Sequence, residues 1–308
     1  MIKNISKFNV WIAAFRPRTI FLAMAGALMG NGLVFHYASF SLSICIFTIL
    51  TAVSLQLLSN LANDLGDYQH GTDTTGERTG PTRAVQSGMI TPAEMKKAVI
   101  LTALVSLFSG AFLISQAAKY LTVLQIVLFL LLGILAVLAA IKYTVGKNPY
   151  GYIGWGDFFS FLFFGPVAVV GTFFLQTHYF DFYPVFPSLA IGFLTASVLN
   201  INNMRDIEND NKSGKITIPV RIGLKKAKLY HLFLILAAFV FLILFSVYAC
   251  KTAWYQFLYL IAFVPFFFIM KNIMQTKDNR LLDPFLKQTS ITTFILTLLF
   301  IVCIAIFP

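Results

Sequence analysis

Nine long apolar segments constrain the fold of this chain more than any other feature of its sequence. Charged and turn residues bound them, and they cover residues 20–37, 40–62, 98–117, 120–141, 158–177, 183–203, 229–250, 252–270 and 289–307. Each is close to the roughly 20 residues that an α-helix needs to cross the hydrocarbon core of a bilayer. The alternating pattern of a membrane β-barrel is absent, and helices satisfy their own backbone in lipid. The sequence therefore predicts an all-α, multi-pass membrane bundle of nine transmembrane helices.

The composition excludes several other classes of protein. Only 11% of the residues are charged, whereas soluble domains carry about 25%. The three cysteines, at positions 45, 250 and 303, lie in apolar segments without a second cysteine or a histidine beside them. This pattern excludes a disulfide framework and a thiolate metal site. We expect one integral membrane domain over residues 1–308, with the first span retained as an anchor because it lacks a cleavage site of small residues.

The positive charge of the chain indicates its orientation in the membrane. The formal net charge is +11, but this excess does not require a nucleic-acid partner, and none is expected. With nine spans, the N-terminus and the loops after the second, fourth, sixth and eighth spans lie on one side, and they hold all 23 Lys and Arg residues except Lys119 and Lys251. Because cytoplasmic loops carry such an excess, we expect a bacterial inner-membrane protein with a cytoplasmic N-terminus and its C-terminus outside.

Two polar stretches, one after the second span and one after the sixth, resemble each other. Residues 60–83, the first motif, contain N-x-x-x-D and then G-E-R-T-G-P-T-R; residues 202–221, the second motif, contain N-x-x-x-D and then G-K-I-T-I-P-V-R. The first elements lie 142 residues apart, from Asn60 to Asn202, and the second elements 138 apart, from Gly76 to Gly214. This near-constant offset predicts an internal two-fold repeat, which in membrane proteins places a shared site between the halves. The loops concerned cover about 63–97 and 202–228, on the cytoplasmic side.

The acidic residues of both motifs have a helical spacing. Residues three and four apart share one face of a helix, so each motif presents one asparagine and two aspartates together. Carboxylate and amide oxygens without histidine or cysteine suit a hard cation, and Mg²⁺ prefers a few carboxylates completed by water and phosphate oxygens. We expect Mg²⁺, with Mn²⁺ as a substitute, and the candidate metal ligands are Asp64, Asp67, Asp73, Asp206 and Asp210.

Basic residues beside these carboxylates complete the predicted site, because Arg and Lys can hold the charge of a diphosphate. Tyr143, at the end of the fourth span, could hydrogen-bond a phosphate or a substrate hydroxyl, or be an ordinary interface tyrosine. The predicted catalytic residues are Asp64, Asp67, Asp206 and Asp210. The predicted substrate and diphosphate ligands are Asn60, Asn63, Arg78, Arg83, Lys142, Tyr143, Asn202, Lys215 and Arg221. The alternative is that these acids and bases pair with one another in a solvated loop.

The chain resembles the UbiA superfamily of membrane prenyltransferases along nearly its whole length. The resemblance rests on W-I-A-A-F-R-P-R-T at 11–19, N-D-x-G-D-x-x-x-G-x-D at 63–73, Y-G-Y-I-G-W-G-D at 150–157, F-F-G at 163–165 and R-D-I-x-x-D-x-x-x-G-K-x-T at 205–217. The common form of the first motif in the superfamily is N-D-x-x-D-x-x-x-D. The wider gap between Asp67 and Asp73 in this chain resembles the spacing in the branch of the superfamily that prenylates dihydroxynaphthoate.

This resemblance implies a specific reaction. A polyprenyl chain would pass from polyprenyl diphosphate to 1,4-dihydroxy-2-naphthoate, with loss of carbon dioxide and diphosphate, to give demethylmenaquinol. The isoprenoid tail would lie in an apolar groove that opens to membrane lipid. Another aromatic acceptor, such as 4-hydroxybenzoate, is the main alternative. A secondary transporter with an acidic repeat site is a second one, although transporter sites lie near the midplane whereas these acids lie at helix ends.

Overall fold

The computed structural model of the protein describes residues 6–37, 40–72, 83–250 and 253–306. Within these ranges the chain forms α-helices joined by turns, by short 3₁₀ or π-helical segments and by one longer 3₁₀ helix, Trp254–Ala262, without a β-strand. The helices are α1 (Lys7–Phe15), α2 (Pro17–Leu33), α3 (Leu42–Gln69), α4 (Pro92–Ala117), α5 (Val123–Lys142), α6 (Gly156–Leu162), α7 (Ala168–Thr177), α8 (Val185–Arg205), α9 (Ile207–Lys212), α10 (Ile218–Ala249), α11 (Phe263–Gln275) and α12 (Asp283–Ile306).

Among the described residues, nine helical stretches are long and apolar enough to cross a membrane, which confirms the predicted number of spans. Some of these spans consist of two consecutive helices. The stretch Gly156–Thr177 joins α6 and α7 through a π-helical turn, Phe163–Val167, that contains Pro166. Proline has no backbone N–H to donate to the preceding turn, and π turns occur inside helices at such irregular points.

Several helices continue beyond the apolar segments that identify them in the sequence. Helix α3 extends to Gln69, past the apolar segment that ends at residue 62, so Asp64 and Asp67 of the first motif lie on its last turns. Helix α10 begins at Ile218, well before the apolar segment that starts at 229. Its first turn is separated from the long part by Gly223, whose backbone has φ 80° and ψ 158°.

Two helix hairpins carry the two motifs. Helix α3 packs along α4, and the first motif covers the end of α3 and part of the chain that leads to α4. Helix α8 packs along α10, and the second motif covers the end of α8 and the chain that leads into α10. Helix α2 contacts α3, α7, α8 and α12, and thus lies between the two hairpins. This arrangement brings the C-terminal ends of α3 and α8 to the same end of the bundle, which we call the motif end.

Candidate active site

Asp64 fixes the chain segment that follows the first motif. Its carboxylate is 2% exposed and accepts hydrogen bonds from the backbone N–H groups of Ala84 at 3.0 Å and Val85 at 3.1 Å. Two such donors stabilise a charged carboxylate. Asp64 is therefore bonded within the protein, and its bonds hold the turn that begins at Arg83 against α3.

Asp67 is the point at which the two motifs meet. Its Oδ2 forms an ion pair with Arg83 of the first motif, and its Oδ1 lies 3.7 Å from Nζ of Lys215 in the second motif. The hydroxyl of Tyr152 donates to Oδ1 at 2.8 Å and accepts a hydrogen bond from the hydroxyl of Thr72 at 2.6 Å. At 1% exposure, this carboxylate is held by cations from both halves of the chain.

Lys215 also joins Asp67 to Asp210. Its Nζ lies 3.9 Å from Oδ1 of Asp210, while its backbone N–H donates to the carbonyl oxygen of Asp210 at 2.8 Å. Burial alone lowers the pKa of Lys215, but the two carboxylates outweigh burial and raise this pKa above its usual value. Burial raises the pKa of Asp210 to about 7, against the effect of Lys215. Among the described residues, Oδ2 of Asp210 is buried without a hydrogen-bond partner.

Asp206 is bound by its neighbour in the chain. Arg205 donates from Nε to Oδ1 at 2.8 Å and from Nη2 to Oδ2 at 2.6 Å. The same guanidinium forms an ion pair with Asp283 at the start of α12. Asp283 in turn accepts two hydrogen bonds from Nη1 of Arg18, each at 3.0 Å. This network balances the charge of Asp206 and connects α8 with α2 and α12.

The first asparagine of each motif makes different contacts in the two halves of the chain. Asn60 donates from Nδ2 to the carbonyl oxygen of Phe15 at 2.9 Å and to the hydroxyl of Thr19 at 3.0 Å, and so ties α3 to the junction of α1 and α2. Asn202 accepts from Nη2 of Arg205 at 2.9 Å. Both amides therefore order the charged groups and the backbone around them.

Gly66 allows a second chain segment to approach α3 between its two aspartates. A Cβ atom at this position would lie 2.6 Å from the backbone carbonyl of Thr144. The hydroxyl of Thr144 donates to the carbonyl oxygen of Ala62 at 3.0 Å and lies 3.2 Å from Oδ1 of Asn63. This contact places Tyr143 beside the acidic cluster.

Substitution of Gly66 by alanine is expected to destabilise the protein by about 1–3 kcal/mol, because the methyl group overlaps backbone atoms that cannot rotate away. Gly133→Ala is the matched control, since a Cβ atom at that helical position would have no atom within 4 Å. The measurement is the midpoint of thermal unfolding in detergent. Equal midpoints for the two variants would contradict the close packing of α3 against the segment at 144.

A cavity of about 610 Å³ extends from this cluster into the apolar interior. On α3 its lining runs from Thr48 to Asp67, which corresponds to about 28 Å along the helix axis. Leu130 and Ile134 of α5 line the cavity and are also exposed on the outer surface of the bundle. The polar side chains of the lining include Asn60, Asn63, Asp67, Arg83, Tyr143, Asn202 and Lys215. The cavity thus has a charged end and a long apolar part that reaches the surface.

Two of the remaining predicted site residues, Lys142 and Arg221, lie apart from this group. Lys142 is exposed and does not line the cavity. Arg221 lies on the other side of the segment 150–154, where its Nη2 donates to the carbonyl oxygen of Ile153 at 2.5 Å. Asp73 and Arg78 fall outside the described residues. Tyr143 lines the cavity, and burial raises its pKa to about 12, so its hydroxyl remains protonated and can donate.

The donors at the charged end fit a hard divalent cation. They are carboxylate and amide oxygens, and the buried Oδ2 of Asp210 without a partner is a ligand atom that such a cation would satisfy. Within the described ranges, no three His, Cys, Asp or Glu residues form a preformed metal cage. Instead the Lys215 ammonium lies between Asp67 and Asp210 and compensates their charge.

Sequence reasoning did not assign four residues that order this site: Thr72, Tyr152, Arg205 and Asp283. Arg205 stands directly before Asp206, and that adjacency was the available signal for it. Tyr152 lies inside the 150–157 segment that carries part of the family resemblance. Asp283 has no comparable signal, because its contacts with Arg18 and Arg205 span 265 and 78 residues of the chain.

Known proteins are similar to this chain in sequence and in fold. A 1,4-dihydroxy-2-naphthoate octaprenyltransferase from Escherichia coli is 38% identical over 97% of this chain and 96% of its own length. The protein of the same name from Haemophilus influenzae is 40% identical over 96% of this chain and 95% of its own.

Solved structures of UbiA homologs have the same fold. One from Archaeoglobus fulgidus, bound to GPP and Mg²⁺, matches with a TM-score of 0.67 at 17% identity, covering 96% of this chain and 99% of that chain. The apo structure of a homolog from Aeropyrum pernix matches with a TM-score of 0.65 at 17% identity, covering 93% and 97%. The sequence profile of the UbiA prenyltransferase family matches residues 19–291, so this chain belongs to that family.

Proposed function

We propose that this protein transfers a polyprenyl chain from polyprenyl diphosphate to 1,4-dihydroxy-2-naphthoate, releasing diphosphate and carbon dioxide and forming demethylmenaquinol. The observation that carries the proposal is the junction of the two acidic motifs at Lys215, at the charged end of a long apolar cavity. A diphosphate with an isoprenoid tail needs these two environments next to each other. The relatives with 38% and 40% identity are named for the naphthoate reaction.

The charged end supplies the diphosphate ligands of the proposed site. Arg83 and Lys215 both line the cavity and pair with Asp67, and both can donate hydrogen bonds to the phosphate oxygens of a bound diphosphate. Asp67 and Asp210 would hold Mg²⁺ directly, with Mn²⁺ as a substitute, and Asp64 and Asp206 would support them from their fixed positions. Bound Mg²⁺ supplies charge neutralisation of the diphosphate leaving group. Preorganised positive groups at this position act where negative charge develops.

The cavity supplies the environment for the allylic carbon and the acceptor ring. The C–O bond to diphosphate breaks, the electron-rich ring carbon that bears the carboxylate forms the new C–C bond, and the bond to the carboxylate then breaks to release carbon dioxide. This substitution needs no nucleophile from the protein. Tyr143, whose hydroxyl remains protonated, can donate a hydrogen bond to an acceptor hydroxyl or a phosphate oxygen.

The proposal also covers where the isoprenoid tail of the substrate binds and on which side of the membrane the motif end lies. The cavity runs along about 28 Å of α3 and is long enough for several isoprene units, and the exposed edge at Leu130 and Ile134 connects it with membrane lipid. The basic residues concentrated on one side support a cytoplasmic motif end in a bacterial inner membrane, with the N-terminus in the cytoplasm. An enzyme that prenylates 4-hydroxybenzoate would share these features, so only the identity of the aromatic acceptor distinguishes the two reactions.

Acceptor substrate labelled with ¹⁴C at its carboxyl group tests the proposal. Membranes that contain the protein, supplied with a polyprenyl diphosphate and labelled dihydroxynaphthoate, are expected to release one labelled carbon dioxide for each prenyl group joined. The ring carbon cannot keep its carboxylate when the new bond forms at that position. Membranes without the protein are the control. If prenylated product retains the label, the naphthoate reaction is excluded even though prenyl transfer takes place.

A further inference from the structure

A second cavity, of about 520 Å³, lies on the other side of the segment 150–157 from the active-site cavity. Its walls come from the 3₁₀ turn Tyr150–Ile153, the start of α6, and parts of α8 and α10. It holds three polar side chains, Asp157, Arg221 and Tyr230. None of these three lines the active-site cavity.

Asp157 brings an unsatisfied carboxyl group to this second cavity. The residue is 5% exposed, and the hydroxyl of Tyr230 donates one hydrogen bond to its carboxyl group. Among the described residues, its Oδ2 is buried and has no hydrogen-bond partner. A buried carboxylate oxygen without a donor is costly. A ligand with a hydrogen-bond donor would therefore gain affinity from this oxygen.

Arg221 brings a positive charge to the rim of the same cavity. Its guanidinium packs over Gly154, where a Cβ atom would lie 3.1 Å from Cζ, and the backbone at this glycine has φ +86°. Its Nη2 donates a hydrogen bond to the carbonyl oxygen of Ile153, and this is the one hydrogen bond that the guanidinium makes among the described residues. Because a guanidinium has five N–H donors in a planar fork, donors remain for an anionic group such as a phosphate.

The rest of the cavity wall is aromatic and faces lipid. Trp155 and Phe158 line it and are about half exposed on the outer surface, and Phe161 and Phe193 line it from deeper positions. These residues lie where the span Gly156–Thr177 begins, at the motif end. Aromatic residues concentrate at the boundary between hydrocarbon and headgroups. The cavity thus combines one acid, one base and an apolar wall at the depth of lipid headgroups.

We propose that this second cavity binds a phospholipid with a primary ammonium headgroup, phosphatidylethanolamine, with its phosphate on Arg221, its ammonium on Asp157 and its acyl chains along Phe158 and Phe193. The charge pattern selects this headgroup. A phosphatidylglycerol would satisfy Arg221 but bring no cation to Asp157. A phosphatidylcholine has the cation, but its quaternary nitrogen has no N–H to donate to Oδ2.

The bound lipid would also support the active site. The segment that separates the two cavities carries Tyr152, which donates to Asp67. The backbone N–H of Ile216 donates to the carbonyl oxygen of Tyr152 at 2.9 Å, and thus ties this segment to the second motif next to Lys215. A lipid held by Arg221 and Asp157 would therefore stabilise the wall of the active-site cavity from its membrane side.

Native mass spectrometry of the delipidated protein in detergent tests this inference. Phosphatidylethanolamine, phosphatidylglycerol and phosphatidylcholine with identical acyl chains are added separately, and the ratio of singly lipid-bound to free protein is measured. Phosphatidylethanolamine is expected to bind about tenfold more tightly than the other two, the size of one hydrogen bond to a charged group. Equal binding of the three lipids would overturn the proposal, and preferential binding of phosphatidylglycerol would assign the site to an anionic lipid instead.

Variants separate the two polar contacts. Asp157→Asn is expected to remove the preference for phosphatidylethanolamine over phosphatidylcholine, whereas Arg221→Ala should weaken binding of all three lipids. Glu208→Gln and Lys226→Ala are matched controls, because both residues are exposed near the motif end of the bundle and neither lines the cavity. Arg221→Ala changes an exposed side chain, so it stays informative if Asp157→Asn folds poorly. An unchanged lipid preference in a folded Asp157→Asn protein would refute the ammonium contact.

Discussion

Asparagine in place of Asp67 or Asp210 is expected to lower turnover by about a hundredfold or more, the size of effect seen when one preorganised electrostatic group is removed from an active site. Both carboxylates flank Lys215 at the charged end of the cavity, and both are at least 97% buried. Asparagine keeps the volume but removes the charge that we propose holds a divalent cation. The measurement is the rate of prenyl transfer in purified membranes at saturating substrates.

Glu208→Gln is the matched control for this prediction. Glu208 lies in the same short helix α9 as Asp210, but it is exposed and its only ion pair among the described residues is with Arg280 at 3.7 Å. This exposed pair contributes little to stability, so the variant should retain normal turnover. Membrane insertion and gel-filtration behaviour show whether the Asp67 and Asp210 variants fold. A folded variant of either residue with full activity would contradict the role given to the junction of the two motifs.

The length of the apolar segments was sufficient for the number of spans, because a membrane requires long apolar helices and the described residues form nine. It was less informative about where helices end. Helix α3 continues through the first motif to Gln69, since its polar residues find partners inside the protein: Asp64 with backbone N–H groups and Asp67 with Arg83 and Lys215. The apolar segment marks only the part of a helix that is apolar enough to cross the hydrocarbon core.

The candidate site was predictable where its residues repeat and not where partners are distant in sequence. The matched motifs indicated that Asp67, Asp210 and Lys215 could share one site, and the structure brings these three together. Asp64 and Asp206 occupy equivalent positions in the two motifs. Asp64 nevertheless accepts hydrogen bonds from backbone N–H groups, whereas Asp206 accepts them from the neighbouring Arg205. Such differences arise from packing between segments far apart in the chain, which the spacing of a motif does not contain.

Removal of divalent cations is expected to abolish prenyl transfer, and the charges of the site explain why. Arg83 and Lys215 are both matched by the carboxylates of Asp67 and Asp210, and Asp64 adds a further negative charge. Among the residues that the structure describes, these five groups therefore bring no net positive charge to the place where a diphosphate, with several negative charges of its own, would bind. Two anions in a buried site repel strongly unless a cation lies between them.

We expect activity to disappear in EDTA and to return when Mg²⁺ or Mn²⁺ is added in excess, because both suit oxygen ligands, whereas Zn²⁺ should restore it poorly. Titration of Mg²⁺ into the EDTA-treated protein while turnover is followed gives the apparent affinity. Asp210→Asn should require more Mg²⁺ than the unmodified protein at any activity that remains, since it lacks one of the proposed ligands, whereas Glu208→Gln should follow the unmodified curve. Full activity in EDTA would mean that Arg83 and Lys215 alone neutralise the diphosphate, and the carboxylates of both motifs would then need another explanation.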